Sequence, residues 1–242
     1  FSTFYSVRRL QKSRSDIFRP GFSFSSIRLR FRELVPLSLP LTANRVLLGL
    51  LQGIEAVSIP GCLKLYNHST SEALSTYGVL TGMALPCILF PSAITNSVSI
   101  MLMPTVAELQ VKDQTSGIRK LLQKVLGSCF LMGLFCCLFF LFFGQLIGQF
   151  LFASDLAGNF IITLAWICPF LYVNGSLLSV LNGFGKTTTS FTINTVGLAI
   201  RIGSVFFAIP VFGIQGYLWG LLISQLAVSI CCSVVLKHLI SA

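Results

Sequence analysis

Long apolar stretches alternate with short polar ones along the chain, and this pattern predicts helices that cross a membrane. A helix of about 20 apolar residues spans the roughly 30 Å hydrocarbon core of a bilayer. Strands of a membrane barrel would instead show about ten residues of alternating polarity. We therefore predict an all-α membrane protein with six transmembrane helices, at about 34–60, 76–106, 121–143, 157–181, 189–209 and 214–236.

The first stretch carries polar residues at membrane depth, although a charged side chain at the bilayer centre costs about 2.5–3.5 kcal/mol. At 100° per residue, Ser38, Arg45 and Gln52 fall within about 40° of one another on a helix, with Glu55 to one side. Such a stripe indicates a helix that faces a bundle interior or a cavity. Glu55 could alternatively neutralise an arginine from another helix. It cannot pair well with Arg45 of its own helix, because ten residues separate the two by about 15 Å.

Other spans contribute polar residues that could face the same cavity. Asn194 and Arg201 lie seven residues apart, on one face of the fifth span, although Arg201 could also snorkel towards the membrane surface. We expect a cavity of net positive charge. The predicted substrate-binding residues are Asn44, Arg45, Gln52, Glu55, Asn96, Asn194 and Arg201.

Basic residues are distributed very unevenly. The formal net charge is +10, and eight of the 17 Lys and Arg residues fall within 1–33. In a membrane protein such a cluster indicates contact with anionic lipid headgroups rather than nucleic acid. A mitochondrial transit peptide also has this composition, but we favour a basic cytoplasmic segment. The first residue is Phe, so we expect further sequence before it.

The connections between the predicted spans give the orientation. Placing 1–33 and 107–120 inside also places Lys124, Lys186 and Lys237 there. The inside then carries fourteen Lys and Arg, against Lys64 alone in the 61–75 connection outside. Cytoplasmic connections of membrane proteins carry the excess of Lys and Arg. We therefore predict both termini, including the tail 237–242, on the cytoplasmic side.

Residue patterns for an enzyme, a cofactor or a metal site are missing from the sequence. The eight cysteines form no C-x-x-C pair, and most fall in apolar runs where they pack as small apolar side chains. Gly185-Lys186-Thr187 has the ending of a phosphate-binding loop, but the required earlier glycine is replaced by Val180. We expect no enzyme activity, no cofactor and no metal.

Several runs of residues resemble a known transporter family. They include Pro40-Leu-Thr-Ala-Asn-Arg45, Gln52-Gly-Ile-Glu55, Phe90-Pro-Ser-Ala-Ile-Thr-Asn96 and Leu181-Asn-Gly-Phe-Gly-Lys186. Together they resemble the stage V sporulation protein B branch of the multidrug/oligosaccharidyl-lipid/polysaccharide exporter (MOP) superfamily, over about 34–236.

This resemblance implies a fold and a function. It implies one six-helix lobe, 34–236, of a MATE-like transporter with two lobes, with 1–33 as the basic cytoplasmic linker to a preceding lobe that this chain does not contain. It implies flipping of polyprenyl-diphosphate-linked saccharides, such as cell-wall peptidoglycan precursors, by alternating access in a bacterial plasma membrane. A lobe of a cation-coupled multidrug exporter and a membrane scaffold without transport activity remain alternatives.

Overall fold

The computed structural model describes residues 24–67, 69–111 and 115–241, and their side chains from Arg45 onward except at a few positions beside the gaps. Within these ranges the chain is helical and contains no strand. In chain order we number the helices α1 (Phe24–Asn67), α2 (Thr70–Leu89), α3 (Ser92–Val111), α4 (Thr115–Phe152), α5 (Asp155–Ala165), α6 (Cys168–Gly183), α7 (Thr187–Phe207), α8 (Ile209–Phe212) and α9 (Ile214–Ser241).

The described helices have the length and composition of a multi-pass membrane protein. Five are long and apolar enough to cross a bilayer, and α5 with α6 forms a pair, bent by 54°, that can count as a sixth span. The backbone polar groups of a spanning segment must be satisfied within the protein, and a helix satisfies them within itself. The predicted all-α membrane fold is therefore confirmed.

The helices extend well beyond the predicted spans, so two predicted loops are wrong. α1 continues to Asn67 and α2 begins at Thr70, which makes most of the 61–75 connection helical. Likewise α3 ends at Val111 and α4 begins at Thr115, inside the predicted 107–120 loop. The apolar pattern marks only the part of a helix in contact with hydrocarbon, whereas hydrogen bonding continues the helix into the polar region.

Prolines divide two of the predicted spans. The predicted span 76–106 is interrupted after Leu89, and Pro91 lies at the break before α3. The fourth predicted span bends between α5 and α6, where Pro169 occupies the first turn of α6. Proline lacks the N–H that would continue the helical hydrogen bonds, so it favours a break or the start of a new helix.

The predicted boundary between a linker and the helical lobe is also corrected. Helix α1 begins at Phe24, within the predicted linker 1–33, and residues 1–23 lie outside the described residues. The chain separates into two compact units, Phe1–Leu47 and Leu48–Ala242. The packing described below is that of the second unit.

Two apolar clusters in this unit leave a polar band between them. One cluster contains Tyr172 and Leu221, and the other contains Leu177 and Val228. On α6 the polar residues Asn174 and Ser176 lie between Tyr172 and Leu177, and on α9 Ser224 and Gln225 lie between Leu221 and Val228. Adjacent helices therefore place their polar residues at the same level of the bundle.

One face of α4 is suited to contact with lipid. Phe135 and Phe142 are largely exposed, whereas Cys136 and Phe140 are buried in the first cluster. The other side of α4 packs on α5 and α6. The eight cysteines are free thiols, and six of them are buried.

Candidate functional site

A polar cavity of about 350 Å³ lies in the second unit, between helices that contribute to the polar band. The part of α1 after Leu48 lines it together with α3, α6, α7 and α9. Leucines and a valine form its apolar walls. The hydrogen-bonding side chains of its lining include Gln52, Asn96, Asn174, Asn194, Arg201 and Gln225.

Four of the seven predicted site residues meet in this cavity: Gln52, Asn96, Asn194 and Arg201. They come from three helices that are distant in sequence. Asn194 and Arg201 are brought to the same cavity because seven residues make about two turns of α7. Polar residues in apolar spans were therefore a useful guide to the cavity.

Glu55 and Arg201 form an ion pair across two helices. Arg201 Nε donates a hydrogen bond of 2.8 Å to Glu55 Oε1, and Arg201 Nη2 donates a second bond to Glu55 Oε2. Glu55 is only 3% exposed, and Tyr217 Oη donates to Glu55 Oε1 at 2.9 Å. The guanidinium thus binds the carboxylate through two parallel hydrogen bonds, an arrangement that lysine cannot make.

This ion pair changes the expected electrostatics of the cavity. Glu55 has a partner on another helix, which is the alternative that the sequence left open, and Arg201 is held in the bundle rather than extended to the membrane surface. We expected a net positive cavity. In the part that the structure describes, the Arg201 cation is neutralised by Glu55, and the other polar side chains of the lining are uncharged.

Two predicted residues lie in the first unit, outside the unit that contains this cavity. The side chain of Arg45 is exposed. The side chain of Asn44 lies outside the described residues. Their assignment to substrate therefore depends on the sequence argument alone.

Asn174 and Gln225 are cavity residues that were not among the predicted set. Asn174 is 4% exposed, and its Nδ2 donates to the Gln225 backbone carbonyl at 3.0 Å and to Gln225 Oε1 at 2.7 Å. The Asn174 Oδ1 atom is buried without a hydrogen-bond partner. An amide in the middle of an apolar span was the available signal for both residues, because a buried amide requires partners.

Small side chains hold α3 and α6 together beside this cavity. Ser99 Oγ and Ser176 Oγ are 2.9 Å apart, and Ser179 Oγ donates to the Ser99 carbonyl. Cys129 Sγ of α4 lies 3.3 Å from Ser176 Oγ. These bonds between helices keep Asn174, two residues before Ser176 on α6, at a defined position.

Close packing of α7 on α9 positions the opposite wall. A Cβ atom at Gly197 would lie 2.5 Å from Val228 Cγ2, so a larger residue here would require Val228 to move. Ser224 Oγ donates to the Gly197 carbonyl at 2.8 Å. Among the described residues, no three His, Cys, Asp or Glu side chains cluster as a metal site would require.

Comparison with known proteins agrees with this architecture. The chain is 26% identical over 188 residues to Stage V sporulation protein B of Bacillus subtilis (strain 168), an alignment that covers 77% of the chain and 36% of that protein. A solved MOP superfamily transporter from Pyrococcus furiosus matches 82% of the chain and 43% of its own length, with a TM-score of 0.64 at 16% identity. The chain is therefore similar in sequence to Stage V sporulation protein B, and its fold is similar to part of that MOP superfamily transporter.

A further relative matches a shorter part of the chain. Sporulation protein YkvU of Bacillus subtilis (strain 168) is 26% identical over 93 residues, which is 38% of the chain and 21% of that protein. No protein-family model matches. The chain thus spans less than half of the length of each of these proteins.

Proposed function

We propose that this lobe is half of a flippase that moves polyprenyl-diphosphate-linked saccharides across a bacterial plasma membrane by alternating access. A preceding six-helix lobe would supply the second wall of the pathway. The observation that carries the proposal is the amide-lined cavity with its buried, unpartnered Asn174 Oδ1. Leaving a buried acceptor without a hydrogen bond costs about 1–3 kcal/mol, so a hydroxyl group that reaches this atom would be favoured.

The chemistry of the cavity favours the saccharide part of such a substrate. Each amide side chain offers both hydrogen-bond donors and an acceptor, and a sugar hydroxyl likewise donates one bond and accepts others. The ion pair between Glu55 and Arg201 leaves the described lining without an unpaired charge. A neutral ligand rich in hydroxyl groups therefore fits it better than a free anion.

The diphosphate requires a cation, and we assign this contact to Arg45, with Arg201 as a weaker candidate. A guanidinium can donate two parallel charge-assisted hydrogen bonds to phosphate oxygens. Arg201 already donates through Nε and Nη2 to Glu55. The side chain of Arg45 is exposed, so its guanidinium can bind a phosphate.

A multidrug exporter is less well supported than a flippase. A lobe that exports cations needs a carboxylate exposed to its cavity. Glu55, the carboxylate that would serve this purpose, is buried and bonded to Arg201 and Tyr217.

The proposal is tested by flipping of a fluorescent polyprenyl-diphosphate disaccharide in vesicles that contain this chain with a preceding lobe. Arg45→Ala should abolish flipping and Arg45→Lys should restore it in part. Asn174→Leu should lower the rate about tenfold, since one lost hydrogen bond to a sugar costs about 1.4 kcal/mol. The matched control is Lys64→Ala, another exposed cation of α1.

Three outcomes would contradict the proposal. Flipping that survives Arg45→Ala would exclude Arg45 as the diphosphate contact. An equal loss in Lys64→Ala would show a general requirement for positive charge on α1. If the intact protein flips no lipid-linked saccharide, the alternative of a membrane scaffold without transport activity would be favoured.

A further inference from the structure

A second cavity opens between the ends of α4 and α9, and none of its lining residues lines the amide-lined site. It has a volume of about 370 Å³ and carries two exposed cations, Arg119 near the start of α4 and Lys237 near the end of α9. Gln123 and Ser233 also line it and add uncharged hydrogen-bonding groups. One end of this groove is therefore basic and hydrogen-bonding.

The rest of the groove is apolar. Leu122, Leu177 and Leu236, from α4, α6 and α9, belong to the second apolar cluster and form the floor, with Leu126 beside them. A groove with a cationic mouth and a hydrocarbon floor is complementary to an amphiphile with a negative head. Neither cation forms an ion pair with a residue whose side chain is described, so each can bind phosphate.

The position of the mouth fits the surface of a bilayer. Arg119 lies four residues after the start of α4, and Lys237 lies four residues before the end of α9. Both helices exceed the roughly 20 residues that cross the hydrocarbon core, so their ends reach the level of the headgroups. Basic pockets between membrane helices at this level bind anionic lipid headgroups.

We propose that this groove is a binding site for one anionic glycerophospholipid, with its phosphate between Arg119 and Lys237 and an acyl chain along the leucine floor. This site is separate from the proposed transport pathway and does not depend on the transported substrate. A bound lipid would connect α4 to α9 across α6 and stabilise the lobe.

The test is native mass spectrometry of the purified chain in detergent, titrated with dioleoylphosphatidylglycerol. The double variant Arg119→Gln/Lys237→Gln should raise the Kd of the tightest lipid about 10- to 30-fold, since each cation near a membrane contributes about 1 kcal/mol to anionic lipid binding. The matched control is Lys120→Gln/Lys124→Gln, which removes two exposed cations of α4 that do not line the groove. Its Kd should change less than about threefold, since electrostatic attraction without direct contact is weak and screened.

Thermal unfolding of all three proteins, with and without the lipid, completes the test. At a lipid concentration near the wild-type Kd, the lipid should raise the Tm of the wild type and of the control variant, and that of the groove variant much less. An equal loss of affinity in the control would mean diffuse attraction by the basic surface, and the proposed site would be wrong. Equal binding of dioleoylphosphatidylcholine, or of glycerol 3-phosphate without acyl chains, would also overturn it.

Discussion

Removing the cation from the buried pair of Glu55 and Arg201 should destabilise the protein strongly. In Arg201→Met the carboxylate of Glu55, 3% exposed, keeps only the hydrogen bond from Tyr217. Breaking a buried pair by removing one partner costs about 3–5 kcal/mol. Because the Arg201 side chain is 24% exposed and water can reach it, we expect the lower end, about 3 kcal/mol.

The assay is thermal unfolding in detergent, followed with a thiol-reactive dye that reports exposure of the six buried cysteines. For a chain of this size each kcal/mol lowers Tm by about 2–4 °C, so Arg201→Met should unfold about 6–12 °C earlier. The double variant Glu55→Met/Arg201→Met should recover most of this loss, since an apolar pair of similar volume often replaces a buried ion pair without cost.

The matched control is Arg45→Met, which removes an exposed arginine and should change stability by less than about 0.5 kcal/mol. Two results would refute this reasoning. One is a double variant as unstable as Arg201→Met, because Glu55 would then not be the group left unpaired. The other is an equally large loss in Arg45→Met, which would make Arg45 a structural residue.

Three further outcomes are expected. Tyr217→Phe removes one hydrogen bond to a buried carboxylate and should lower the free energy of unfolding by about 1.5–3 kcal/mol. An unchanged Tm would contradict the contact between Tyr217 and Glu55. Gly220→Ala places a methyl group against a serine of α7 and should lower the free energy of unfolding by about 1–3 kcal/mol. Its control is Gly61→Ala, whose methyl group meets nothing within 4 Å and should not destabilise the protein. Equal effects of the two changes would contradict the close packing of α7 on α9. In a cysteine-free protein on intact cells, an impermeant thiol reagent should label a cysteine at Ser69 but not at Ser116, and the reverse would invert the proposed topology.

Apolar run length and composition were sufficient to predict the class of the protein. A bilayer requires about 20 apolar residues per crossing and leaves helices as the structure for such runs, so an all-α membrane fold follows from local sequence. The positions of the breaks were less accessible. Pro91 and Pro169 mark them, but whether a proline kinks a helix or divides it depends on the helices that pack around it.

The sequence also indicated which residues would be polar cavity residues, because an amide or a charge in an apolar span is costly unless it has a partner. Gln52, Asn96, Asn194 and Arg201 were found in this way. Only the tertiary structure showed which polar groups pair with each other. Glu55 and Arg201 are 146 residues apart, and their ion pair depends on the packing of α1 against α7 and α9.

That pairing also decided the charge of the candidate site. Counting Arg45, Arg201 and Glu55 along the sequence gives a net positive set, whereas the folded lobe neutralises Arg201 and leaves a lining of amides in the described cavity. Local sequence determines which residues must leave the lipid, since transfer costs act on each residue separately. Packing determines which partner each one meets, since a hydrogen bond requires two atoms within about 3 Å, and only the fold brings distant residues that close.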